Sequence, residues 1–240
     1  TLLVPSTRAR RTITEAFIRH FGASGEAGLL LPRMAVVGDL DLDEALGPLL
    51  DPLGAQDIPR AVDPIRRWLA LARLLDEELG DKAPPESRMG GATLLRLARE
   101  TARTMDRLLA EEIAPDDLMG EKVKEIVGDL AEHWQRSLVT FARVQQRWRF
   151  QLQDWNAVDT ATRRNLLFRH AARRWKADPP ATPIVAAGVT SAAPALADLL
   201  RVVSELPQGA VILPDLDLAL EDAVWDELGR AGARPEPEAE

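Results

Sequence analysis

Cysteine is absent from all 240 residues. That excludes a disulfide framework, a thiolate metal site and a cysteine nucleophile. Histidine is scarce: His20, His133 and His170 lie far apart, too dispersed to suggest a histidine-rich metal site or a Ser/His/Asp constellation. No apolar run approaches the roughly 20 residues that a membrane span requires. Neither a G-x-x-x-x-G-K-S/T loop nor a G-x-G-x-x-G loop occurs, so the common phosphate-cradling turns are missing. What remains is 46% hydrophobic and 28% charged, the profile of a soluble globular chain of one or two domains.

The formal net charge of −8 argues at first against a nucleic-acid partner. Its distribution argues otherwise. Residues 136–176 carry ten Lys and Arg against two Asp and Glu, and residues 1–19 carry four against one. Residues 205–240 carry two against ten. Local fields of this kind attract partners that the average charge hides.

Periodicity divides the chain. Leu2-Leu3-Val4 reads as a buried strand ended by Pro5, with Ser6 or Thr7 capping a helix whose apolar positions include Ile13 and Phe17. A second strand is expected at Met34–Val37. A Pro- and Gly-rich stretch follows, and then the spacing turns helical. Helices are expected from Pro64 to Gly80, around Leu94–Leu109, from about Glu121 to 152 (roughly 45 Å long), and after Asp159 to the stop at Pro179-Pro180. Strand signals return at Ile184–Ala187 and Val211–Leu213, alternating with helices from Pro194 and Leu220. The economical architecture is α/β: one parallel sheet formed by both ends of the chain and interrupted by a large helical insertion. The expected divisions are 1–46 and 181–230 for the sheet, 47–180 for the insertion, and 231–240 for a polar tail. A helical protein with a separate C-terminal α/β unit is the alternative. The opening Thr1-Leu2-Leu3-Val4-Pro5 suggests a fragment of a longer cytoplasmic protein.

Candidate chemistry is sparse. The run Asp39, Asp41, Asp43 and Glu44 lacks the glycine and distant glutamate of an EF-hand. Gly188-Val189-Thr190-Ser191 could offer amides to an anion, but a plain strand-to-helix turn accounts for it. The arginines offer more. Arg8, Arg10 and Arg11 follow the first strand, the end of an α/β sheet where ligands bind. Arg163, Arg164, Arg169, Arg173 and Arg174 flank one helix and could track phosphates without reading bases. Trp155, between Asp154 and Asn156, is the tryptophan expected to be open for stacking on a base.

Whole phrases also resemble a known family. Leu2-Leu3-Val4-Pro5-Ser6-Thr7-Arg8-Ala9, Gly28-Leu29-Leu30-Leu31-Pro32-Arg33 and Gly38-Asp39 are similar to the N-terminal region of AddB. AddB is the double-strand break repair subunit of bacterial AddAB helicase–nucleases, here in its alphaproteobacterial form. Pro64-Ile65-Arg66-Arg67, His133-Trp134, Arg173-Arg174-Trp175 and, most distinctively, the stretch from Pro183 to Asp217 fit the same pattern. The resemblance runs to about residue 228. It implies a P-loop-like, superfamily-1 helicase-like sheet, and DNA-backbone contacts at Thr7, Arg8 and Arg11, with Arg163, Arg164, Arg173 and Arg174 as further candidates. Active relatives carry an Asp-Glu pair for Mg²⁺ and ATP hydrolysis where this chain has Ala187-Gly188, so the resemblance implies a degenerate motif with no catalytic or metal-binding residue. ATP, Mg²⁺ and an iron–sulfur cluster would belong to the parent complex. The implied partners are an AddA-type helicase–nuclease subunit and single- or double-stranded DNA ends, without a membrane.

Overall fold

A computed structural model describes residues 1–22, 28–38, 57–80, 89–114, 117–120, 132–191, 193–214 and 217–232. The acidic run 39–44, the expected helix start near 121, Asp215 and the tail from 233 lie outside them.

Four parallel strands form one sheet. They are β1 (Leu2–Val4), β2 (Met34–Val36), β3 (Ile184–Ala187) and β4 (Gly209–Ile212), in the order β2-β1-β3-β4. Leu3 stands opposite both Ala35 and Ala186, and Ala187 opposite Ile212. The two ends of the chain therefore meet in a single sheet, and a separate C-terminal unit is ruled out. The sequence between β2 and β3 supplies α2 (Pro64–Gly80), α3 (Gly91–Ala110), α4 (Glu132–Asp154) and α5 (Thr160–Ala177). With α1 (Thr7–Gly22), α6 (Pro194–Glu205) and α7 (Asp222–Gly232), seven α-helices are described. None is long and apolar enough to cross a membrane.

Local chemistry explains the boundaries. Ser6 Oγ accepts the Ala9 N–H at 3.1 Å and opens α1. Pro64 occupies the first turn of α2, where its missing N–H costs nothing, and Asp63 Oδ1 accepts the Arg66 N–H at 2.9 Å. Asp217 Oδ1 accepts the Ala219 N–H in the turn ahead of α7.

Two cores result. In the first, Leu3, Ala35, Ile184 and Ala186 pack under Leu167, Phe168, Ala171 and Trp175 of α5 and Leu196, Leu199 and Val203 of α6. Phe168 is wholly buried. Thus α5, read from the sequence as part of the insertion, packs against α6 and shares the core of the sheet. The second core joins Leu71, Leu74 and Leu75 of α2, Ala98, Ala102 and Met105 of α3, and Val144, Trp148 and Leu152 of α4. Strand side chains alternate between faces. Ala35 enters the first core, whereas Met34 Sδ meets Thr14 Oγ1 of α1 at 3.9 Å. Hence α1 lies on the face opposite α5 and α6. It buries no residue completely.

Asp159 is the N-cap residue of α5, yet its side chain makes no capping bond. Its carboxylate turns inward, accepting the Trp148 Nε1–H at 3.0 Å and lying 2.9 Å from Arg67 Nε. Arg67 donates in turn to Asp106 at 2.7 Å. This network links α2, α3, α4 and the start of α5. Burial pushes both carboxyls above the ordinary aspartate value, although Arg67 pulls them back.

Candidate nucleic-acid interface

The chain leaves β1 towards β2 on one side, and β3 takes the other side. That makes the carboxyl ends of β1 and β3 the topological switch point of the sheet, where α/β folds bind ligands. Three turns crowd there around Pro5. A Cβ on Gly38 would strike the Pro5 carbonyl, which restricts that position to glycine. Gly188 adopts φ +71° next to the Pro5 ring and donates its N–H to the Ile212 carbonyl at 2.9 Å.

Beyond Pro5, the first turns of α1 stand over the segment entering β2. Between them runs an open groove of about 590 Å³, lined by Thr7, Arg10, Arg11, Thr14, Glu15, Leu31, Pro32 and Met34. One wall carries the exposed Arg10 and Arg11, with Arg11 Nε 3.1 Å from Glu15 in an exposed pair one turn along; Arg8, also exposed, lies outside the groove. The other wall is apolar. Two of the three α1 residues expected to contact DNA, Thr7 and Arg11, line this groove. Arg10 joins them, and its place one turn before Thr14 is the signal that marks it.

The α5 arginines part company. Arg164 is buried, 3% exposed, with its guanidinium 5.8 Å from the centre of the Phe168 ring. Burial lowers its pKa, while the charges of Asp106 and Glu111 support its cation. Arg163 donates to the carbonyls of Ile58 and Pro59, at 2.8 and 2.5 Å. Arg169 pairs with Glu112 at 2.7 Å. Arg173 and Arg174 are exposed. The expectation of a phosphate-tracking row is therefore corrected at Arg163 and Arg164. Their guanidiniums are engaged internally because they sit one helical turn from the buried Leu167 and Phe168. Arg173 and Arg174 lie on a helix across the sheet from α1, so the two arginine groups form no single surface.

Trp155 is also occupied. The Arg66 guanidinium covers its ring at 3.8 Å, and the Trp148 ring meets it edge-on at 5.7 Å. No base can stack on a face already held by a cation.

At the end of β3, Ala187 and Gly188 offer no side-chain ligand for a metal. A carboxylate-bearing residue at Gly188 would have to adopt a left-handed backbone conformation that side chains disfavour. Among the described residues, no group of three or more His, Asp or Glu could hold a metal ion. The residues present do not fit Mg²⁺-nucleotide chemistry at this strand end.

The chain matches no protein-family model and no curated protein.

Proposed function

We propose that this chain is a non-catalytic, helicase-like module of a DNA break-repair helicase–nuclease, binding single-stranded DNA as a scaffold and not as a motor. One observation carries the reading. Three exposed arginines stand on the first turns of α1, the helix that leaves the carboxyl end of β1, and two of them, Arg10 and Arg11, line an open groove against the segment entering β2. The resemblance to AddB and its P-loop-like sheet supports it. The Arg8, Arg10 and Arg11 guanidiniums would meet successive phosphates. The Leu31-Pro32-Met34 wall would give the bases an apolar surface but no hydrogen-bonding code, so binding would be tolerant of sequence. An AddA-type subunit would supply the motor and the nucleotide chemistry.

Anisotropy titration of a fluorescent single-stranded oligonucleotide over a salt series tests this. Three phosphate contacts give a slope of about −2 in log affinity against log salt, since each contributes roughly −0.7 on single strands. Arg10→Ala and Arg11→Ala should each flatten the slope by about 0.7, whereas Arg163→Ala should leave it unchanged. A flat salt response, or a slope indifferent to Arg10 and Arg11, refutes the proposal.

A further inference from the structure

The stretch from Ile212 to Leu228 leaves an unusual amount of apolar surface in water. Ile212, Leu213, Leu218, Val224, Trp225 and Leu228 are all exposed, Leu218 to 88%. On α7, every side chain from Asp222 to Arg230 is exposed. Val224, Trp225 and Leu228 fall within about 100° of arc, at spacings of one and four. Asp222, Asp226 and Glu227 surround them, with Arg230 as the counter-charge. An isolated helix of 11 residues is marginal in water. An amphipathic helix of that length, with none of its described residues in either core, calls for a surface to lie on.

Carboxylates around the apolar strip exclude a polyanion or an anionic membrane as that surface. They fit an apolar groove with a cationic rim, the helix-in-groove mode of recognition. This chain displays such a groove. Between α1 and residues 29–34, the cavity of about 590 Å³ has Arg10 and Arg11 on one wall and Leu31, Pro32 and Met34 on the other. Exposed Ile18 continues the Thr14 stripe of α1, and Leu29 and Leu30 extend the apolar wall. The groove lies at the β2 edge of the sheet, and α7 follows β4 at the opposite edge. Within one molecule both surfaces remain exposed.

We infer that the occupant is a second copy: α7 of one molecule docks its Val224–Trp225–Leu228 face into the α1/β2 groove of another. Because the surfaces are different patches at opposite edges, the contact is head-to-tail and can propagate. A single short helix buries less than a standard interface of about 1,200–2,000 Å², so the association is weak. The contact stands whether or not the groove also takes DNA.

Sedimentation velocity on the whole chain without DNA tests this, over about 1–300 µM, a range that brackets weak association. The expected result is a sedimentation coefficient that rises with concentration. Asp226→Arg with Glu227→Arg, or Arg10→Glu with Arg11→Glu, should hold the protein monomeric, with circular dichroism unchanged. Mixing the two variants pairs the intact helix with the intact groove and the reversed helix with the reversed groove, so association should return. All four substitutions in one chain should restore association. A wild-type monomer at every concentration overturns the inference. So does association that survives both charge reversals, or a mixture that stays monomeric.

Discussion

Arg67→Ala is the sharpest test of how the helical region is held. Arg67 is 4% exposed and Asp159 5%. Its guanidinium lies 2.9 Å from Asp159 and 2.7 Å from Asp106. Truncation leaves two carboxylates inside without their cation and opens a cavity beside Leu71. Breaking a buried pair by removing one partner costs about 3–5 kcal/mol. For a chain of this size that is a fall of about 6–20 °C in Tm. The pH dependence gives the result its signature. Asp106 and Asp159 have folded-state pKa values raised by burial, and Arg67 restrains the rise. A raised carboxyl contributes stability that is present below its unfolded value and is lost as pH rises through its folded value. Without Arg67 the folded values climb further, so the variant's penalty grows as pH rises above the ordinary carboxylate range and shrinks towards it. Urea unfolding followed by circular dichroism at several pH values measures this. As a control, Arg67→Met with Asp106→Asn and Asp159→Asn removes these three charges together, leaves Arg164 to Glu111, and should lose less than Arg67→Ala. A penalty under about 1 kcal/mol, far below that of a buried pair, or one that does not vary with pH, would refute the reasoning.

Two further substitutions probe the sheet. Gly188→Ala forces a methyl-bearing residue into φ +71° and should cost about 1–2 kcal/mol by thermal denaturation, with an equal loss for Gly188→Ser if backbone strain is the cause. Phe168→Ala opens a cavity in the first core, where the ring is wholly buried, and should cost about 3–5 kcal/mol in the same assay.

The strands and most helices were legible because their signals are local. Pro5, Pro64 and Pro179 punctuate the chain where the fold does, and the strand–helix–strand order at the two ends predicted one shared sheet. What was not legible depends on long-range contacts. Asp159 looks like an ordinary helix cap until Arg67, some ninety positions earlier, is seen beside it. Arg67 itself falls one turn ahead of buried Leu71, a hint that is readable only in retrospect. Arg163 and Arg164 read as surface charge because a basic helix usually wears its arginines outside. Here Asn165, which donates to the Leu109 carbonyl at 2.9 Å, turns that side of α5 towards α3. Trp155 misled for the same reason: polar sequence neighbours suggested exposure, but Arg66 was the neighbour that mattered.

These differences locate function within the fold. The face of the sheet under α5 and α6 is sealed by large apolar side chains, and the buried charge network ties α5 to the helices before it. Among the described residues, α1 on the opposite face contributes no fully buried residue. Elements with few buried contacts occupy the low end of local stability, and binding surfaces are drawn from that end. The cationic groove therefore sits between a weakly anchored helix and the Leu31-Pro32-Met34 segment at the β2 edge. The same open wall of leucines that would accept bases also accepts an amphipathic helix.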